Sequence, residues 1–144
     1  LAGSSAASDV YKRQFQYNAL LTCSPMSGVY TINMFDVYGD GWQTTSGGDG
    51  GEGLTIDMDG VITSVAMCSQ WGSYDFECTP TNDGYTPTAI VNIPAGTESA
   101  IWNFPGDYYG EISLQIIAPN GVIAYESETG GTITGLLPIA VCQQ

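Results

Sequence analysis

Beyond Arg13 the chain contains no Lys, no Arg and no His, while all but one of its 15 acidic residues, Asp9 being the exception, lie between Asp36 and Glu128. The formal net charge is -13 at pH 7. With no side-chain cation outside Lys12 and Arg13, the folded part has no basic side chain to pair with its carboxylates. Only backbone N–H groups can hold an anion there. Nucleic acid and anionic membrane are therefore excluded as natural partners, and cations are favoured. The same absences remove imidazole bases, three-His zinc sites, Schiff-base lysines and arginine clamps for phosphate. Carboxylate or thiol chemistry is what remains, and no spacing among the acids marks a glycosidase pair. The expectation is a non-catalytic protein.

Residues 1–14, LAGSSAASDVYKRQ, are small and polar, with no apolar stretch of the kind a signal peptide needs. The string SSAASDVYKRQ resembles an adapter-derived translation, so this arm is expected to be non-native or unstructured, with any secretion signal missing. No run in the sequence is long and apolar enough to span a membrane as a helix. A short apolar arm or strand is expected over 15–22 and a single domain over 23–144.

Good helix formers are scarce, while Thr, Val, Ile, Tyr and 19 Gly are plentiful, which points to short strands joined by turns. Candidate strands cover 29–35, 54–58, 61–67, 88–93, 99–104, 111–118, 122–125 and 133–141. Met58-Asp59-Gly60 and Pro119-Asn120-Gly121 place hairpin turn residues between apolar runs. About eight strands at this spacing imply an all-β fold, a two-sheet antiparallel β-sandwich or jelly roll.

Four cysteines allow three disulfide pairings. Cys23 with Cys142 and Cys68 with Cys78 is expected, because the first ties the opening of the domain to its last strand and the second closes the local loop 69–77. Disulfides imply an extracellular or cell-surface setting. A Cys-only metal site is the alternative, but no CxxC spacing exists to support it.

The sharpest local pattern is Phe35-Asp36-Val37-Tyr38-Gly39-Asp40-Gly41-Trp42. It resembles the D-x-[YF]-G-D-G-W motif that follows an early strand in many secreted, multidomain proteins of marine microbes, algae and matrix-building bacteria. The resemblance extends weakly to Ile93-Pro94-Ala95-Gly96-Thr97 and to the strand pair around Pro119-Asn120-Gly121. It implies an extracellular, repetitive setting rather than a known activity. After Trp42 the family continues with Asn-Gly, whereas this chain has Gln43-Thr44-Thr45.

Chemically the motif is a turn in which Gly39 and Gly41 let Asp36, Asp40 and nearby carbonyls converge while Trp42 plugs the core. One reading is a Ca²⁺ loop, since hard cations take carboxylate and carbonyl oxygens. The other is an Asx-turn corner in which each Asp caps backbone N–H groups. It is not an EF-hand, because the third and twelfth loop positions are Tyr38 and Gly47. The following Gly47-Gly48-Asp49-Gly50-Gly51-Glu52-Gly53-Leu54-Thr55 nearly matches the calcium-binding nonapeptide of parallel β-helices, but a single copy cannot build that stacked structure. An exposed loop is the simpler expectation; Asp49 and Glu52 folding back to complete a metal site with Asp36 and Asp40 is the more specific one.

Trp71, Tyr74 and Phe76, with Tyr108 and Tyr109 beside Asp107, are candidate glycan contacts, although aromatics in a sandwich more often serve the core. Thr79, Thr81, Thr86 and Thr88, grouped with prolines, suit O-glycosylation, and there is no Asn-x-Ser/Thr sequon. Two readings follow. The first is a secreted structural module of an extracellular filament, matrix or cell-surface coat, calcium-stabilised, whose partners are other copies of itself, with the 15–21 arm adding to a neighbour's sheet edge. The second is a calcium-assisted carbohydrate-binding or adhesion module with polysaccharide as partner. A line of exposed aromatics beside the Asp36/Asp40 loop would favour the second.

Overall fold

A computed structural model describes residues 23–44, 52–70, 74–80, 87–128, 133–139 and 141–143. Among these there is no helix, only eight strands: β1 (Gly28–Asp36), β2 (Leu54–Met58), β3 (Val61–Val65), β4 (Thr88–Ile93), β5 (Ala100–Phe104), β6 (Ile112–Ile117), β7 (Ile123–Glu126) and β8 (Gly135–Leu136). They form two antiparallel four-stranded sheets, in the orders β4-β1-β6-β7 and β3-β2-β5-β8. No described helix is long and apolar enough to cross a membrane. The arm over 15–22 lies outside the described residues.

Alternation along each strand builds the sandwich. In β1, Tyr30, Ile32 and Met34 are fully buried while Val29 and Phe35 are exposed, the two-residue period of a half-buried strand. Facing them, Leu54 and Ile56 of β2 and Trp102 and Phe104 of β5 are buried on the other sheet. The Tyr30 and Trp102 rings meet across the gap at 5.4 Å. Burial pushes the Tyr30 hydroxyl up to about 12, and it donates to the Met26 carbonyl at 2.9 Å. Trp42 is completely buried beneath the loop after β1, edge-on to Phe104 at 5.5 Å, with its indole N–H on the Phe35 carbonyl. It plugs the core as its sequence context suggests.

The turns follow their chemistry. Asp59 and Gly60 have φ of 51° and 90° between Met58 and Val61, the positive pair that a two-residue hairpin needs. At the other turn Asn120 and Gly121 work differently: the ladder is irregular at Ile116/Ile117, and Ala118 and Val122 close a three-residue loop. The expected last strand is the one that contracts most. Pro138 has no N–H to give a ladder, so pairing with β5 ends with the Leu137 N–H on the Trp102 carbonyl, while Leu137 and Ile139 still bury into the core.

Both disulfides join the expected partners, Cys23 with Cys142 and Cys68 with Cys78, and no described cysteine is free. The first spans 119 residues and sits beside the Pro25–Cys142 bridge; the second spans 10 and sits beside the bridge between Met67 and Thr79. In the chain-entropy account the longer loop restricts the unfolded chain more, by about 2 kcal/mol. Replacing Cys23 and Cys142 by Ser should therefore lower the denaturation midpoint more than replacing Cys68 and Cys78, as equilibrium urea unfolding would show. An equal loss from both pairs would contradict this ranking.

Candidate metal and ligand site at the end of the first sheet

The site forms where β1 ends. Asp36 is the last residue of β1, paired in register with Ile112, the first residue of β6. The Val37 N–H donates to the Glu111 carbonyl at 3.1 Å, so the loops leaving β1 and entering β6 run together. Carboxylate oxygens of Asp36, Asp40 and Glu111 consequently lie within 4.8 Å of one another, close enough to hold a metal ion.

The loop is shaped by backbone donors. Asp36 accepts the Gly41 N–H at 2.7 Å and the Tyr38 N–H at 3.4 Å, the corner expected of an Asx-turn. Asp40 behaves otherwise: its Oδ1 is buried without a hydrogen-bond partner. Burial, opposed by the Gly41 N–H and reinforced by neighbouring Asp40, pushes the Asp36 carboxyl up to about 6. Glu111 is also raised, by desolvation first and then by the charges of Asp40 and Asp107. Two carboxyls held towards their protonated forms beside a third carboxylate make a site that favours positive charge.

Neighbouring segments fix this geometry. Gly41 has φ of 94°, and a Cβ there would collide with the Cys68 carbonyl, so the motif's second glycine is required by the disulfide-closed loop packed behind it. Gly39, at φ 72°, faces open space. The Trp42 N–H donates to the Met67 carbonyl at 3.2 Å. Gln43, standing where the resembled family has Asn, is buried; it donates to Ser69 Oγ at 2.9 Å and accepts the Tyr108 N–H on its carbonyl. On the opposite loop the Asp107 carboxylate takes the N–H groups of Gly110, Glu111 and Ile112 at 2.9 to 3.1 Å and so positions Glu111.

The remaining sequence candidates separate. Asp49, Trp71, Thr81 and Thr86 lie outside the described residues. Glu52 is exposed, its carbonyl takes the Thr44 hydroxyl, and its carboxylate is not among the three that converge. Tyr74 is half-buried, its hydroxyl donates to the carbonyls of Trp42 and Met67, and its ring packs on Phe76, so it braces the motif loop rather than offering a platform to a sugar. Burial raises its hydroxyl to about 12. Thr79 is half-buried in backbone pairing, whereas Thr88 is exposed. Tyr108 and Tyr109 are exposed and stacked edge to face at 4.7 Å, and Tyr38 on the facing loop is 77% exposed. Glu111 was not among the sequence candidates. It opens a strand recognisable from its pattern, but nothing in the sequence says that this strand pairs with β1.

A shallow pocket of about 260 Å³ adjoins the cluster, lined by Phe35, Asp36, Val37, Ser113, Leu114, Glu126 and Ser127. No protein-family model, curated protein or solved structure matches the chain. Fold and site alone therefore define its class: a disulfide-bonded antiparallel β-sandwich with a carboxylate cluster at one end.

The two motif glycines should respond differently to substitution. Gly39→Ala bears only the left-handed backbone, about 1 kcal/mol, whereas Gly41→Ala adds the backbone collision and should exceed about 4 kcal/mol or prevent folding; urea midpoints measure both. The raised Asp36 pKa sets a pH dependence. Its folded value lies above the unfolded one, so its contribution is fully present below about pH 4 and is lost as pH rises through about 6. In chelator the melting temperature should fall over that window, and Asp36→Asn should flatten the fall.

Proposed function

We propose that this protein is a non-catalytic extracellular module that binds Ca²⁺ at Asp36, Asp40 and Glu111 and uses that end of the sandwich to bind carbohydrate, as an adhesion domain does. The observation that carries the reading is the grouping of exposed tyrosines around the carboxylates: Tyr38 between Asp36 and Asp40, and Tyr108 and Tyr109 just before Glu111. This is the feature that separates a binding module from a purely structural one. Oxygens within 4.8 Å of one another are no farther apart than two ligands of one Ca²⁺ can be at about 2.4 Å each, so a small side-chain adjustment lets one ion touch all three, with carbonyls and water filling the rest of its shell. The partnerless Asp40 Oδ1 then gains a partner, and no side-chain cation of the fold competes for it. Tyrosines supply apolar faces for sugar rings and hydroxyls for their edges. The two disulfides suit an oxidising, extracellular compartment, and a secreted origin agrees with the resemblance of the DxYGDGW segment.

A self-associating structural module of a filament, matrix or coat is the second reading. It is favoured by exposed aliphatic side chains, Ile62, Ile90 and Ile101 among them, on the outer faces of both sheets.

Calcium that binds only the folded state stabilises it by about 2.7 kcal/mol at a hundredfold excess over Kd. The melting temperature should therefore rise with calcium at pH 7, rise less at pH 5 where protons compete, and not rise in Asp40→Asn. Binding to soluble cello-oligosaccharides or alginate, followed by titration calorimetry, should require calcium and weaken at least about tenfold in Tyr108→Ala/Tyr109→Ala, equivalent to about 1.4 kcal/mol. Calcium binding without sugar binding would leave a metal-stabilised structural module.

A further inference from the structure

Most of the acids among the described residues lie outside the strands. Among the strands only Asp36, Asp57 and Glu126 are acidic, and Asp36 closes its strand. The outer face of the β4-β1-β6-β7 sheet therefore carries a single carboxylate, Glu126, on an edge strand. Its neighbours form two rows set by the register. One row is apolar apart from Thr31: Ile90, Thr31, Ile117 and Ile123 stand side by side across the four strands. Ile90 is 69% exposed and Ile123 51%. The next row is a relay of side-chain hydrogen bonds. The Thr88 hydroxyl donates to Asn33 Oδ1 at 2.9 Å, Asn33 Nδ2 to Gln115 Oε1 at 3.0 Å, and Gln115 Nε2 to Glu126 Oε1 at 3.1 Å. The outer face of the other sheet differs, because Asp57 lies on its inner strand β2.

We propose that the outer face of the β4-β1-β6-β7 sheet is a docking surface for a second copy of this chain. Charge decides the occupant. Two molecules of net charge -13 repel wherever their acidic loops approach, and this face is where they can meet without opposing carboxylates. The same pairing through the β3-β2-β5-β8 sheet would bring Asp57 towards Asp57. The neutral members of the relay, Thr88, Asn33 and Gln115, already engage one another and lose less on leaving water, while the Glu126 carboxylate sits on the edge strand at the rim of the patch. A two-fold axis lying in the plane between the two faces, along the row, sets the isoleucine row on its copy, as an isologous contact requires. Four strands about 4.8 Å apart and six residues about 3.4 Å apart make a patch near 400 Å². That is about half the area per partner of a standard interface, so the association is weak and concentration-dependent. It needs neither the carboxylate cluster nor the tyrosines; it gives the structural reading a surface, and its failure leaves the glycan-binding reading intact.

Sedimentation equilibrium of the full chain in chelator, from micromolar to millimolar protein, tests this. Raising the salt shortens the Debye length from about 30 Å at 0.01 M to about 3 Å at 1 M, so the dimer fraction should rise with sodium chloride alone. Ile90→Asp should abolish the dimer with its melting temperature kept, since the side chain is mostly in water, and Ile62→Asp on the opposite sheet should not. The proposal is overturned if Ile90→Asp dimerises like the parent, if Ile62→Asp abolishes the dimer, or if association requires calcium. A chain that stays monomeric at millimolar concentration in high salt overturns it too, and amide shifts on this face with a neutral oligosaccharide would then assign it to a glycan.

Discussion

Every carboxylate in the described fold has to be accommodated without a side-chain cation, and much of the structure answers to that constraint. Backbone N–H groups are the main substitute. Asp107 takes three of them, Asp59 takes those of Glu98 and Ser99, Asp57 takes that of Gly60, and Asp36 takes those of Gly41 and Tyr38. Each such bond is charge-assisted and fixes a turn, so acids that would repel one another on a sheet become the pins of its loops. Turns provide free N–H groups and sheet interiors do not, which is why the acids gather at the ends of the sandwich.

Asp40 is where this device stops. In its loop the Tyr38 and Gly41 N–H groups go to Asp36, that of Val37 to the Glu111 carbonyl and that of Trp42 to the Met67 carbonyl, and Asp40 Oδ1 is left buried and unmatched. Asp36 is raised to about 6, by burial first and by the neighbouring Asp40 after it. A proton relieves the crowding in part. In the calcium-bound form proposed above, a divalent ion would relieve it better, since it would answer three carboxylates at once. Rigid support behind the loop keeps the crowding in place: the Cys68–Cys78 loop presses on Gly41, Tyr74 braces Trp42 and Met67, and Gln43 ties the motif to the Tyr108 loop.

Most of the strands were legible because two-residue alternation survives wherever one face is wet, as in β1, β2 and β4. The last strand reads longer in the sequence than it is, because buried Leu137 and Ile139 mimic a strand pattern while Pro138 ends the ladder after Leu137. Tyr74 is open to two readings for a related reason: an aromatic between two cysteines looks the same in sequence whether its hydroxyl faces water or two backbone carbonyls. Glu111 went unseen because metal-ligand spacing is a local signal, and this residue stands 71 positions beyond Asp40.

The sequence by itself determined the all-β class, the two disulfides, the absence of internal counter-charge and the turn that presents Asp36 and Asp40. These depend on composition, on short-range periodicity and on backbone freedom, all of which act over a few residues. Tertiary structure alone decided that β6 lies against β1, that Glu111 therefore joins the acids, that the loop of Tyr108 and Tyr109 is tied to the motif loop, and that one sheet face is nearly free of charge. Strand order is set by how two sheets bury Tyr30, Trp42, Trp102 and Phe104 together, a long-range packing solution that no local stretch of the chain encodes.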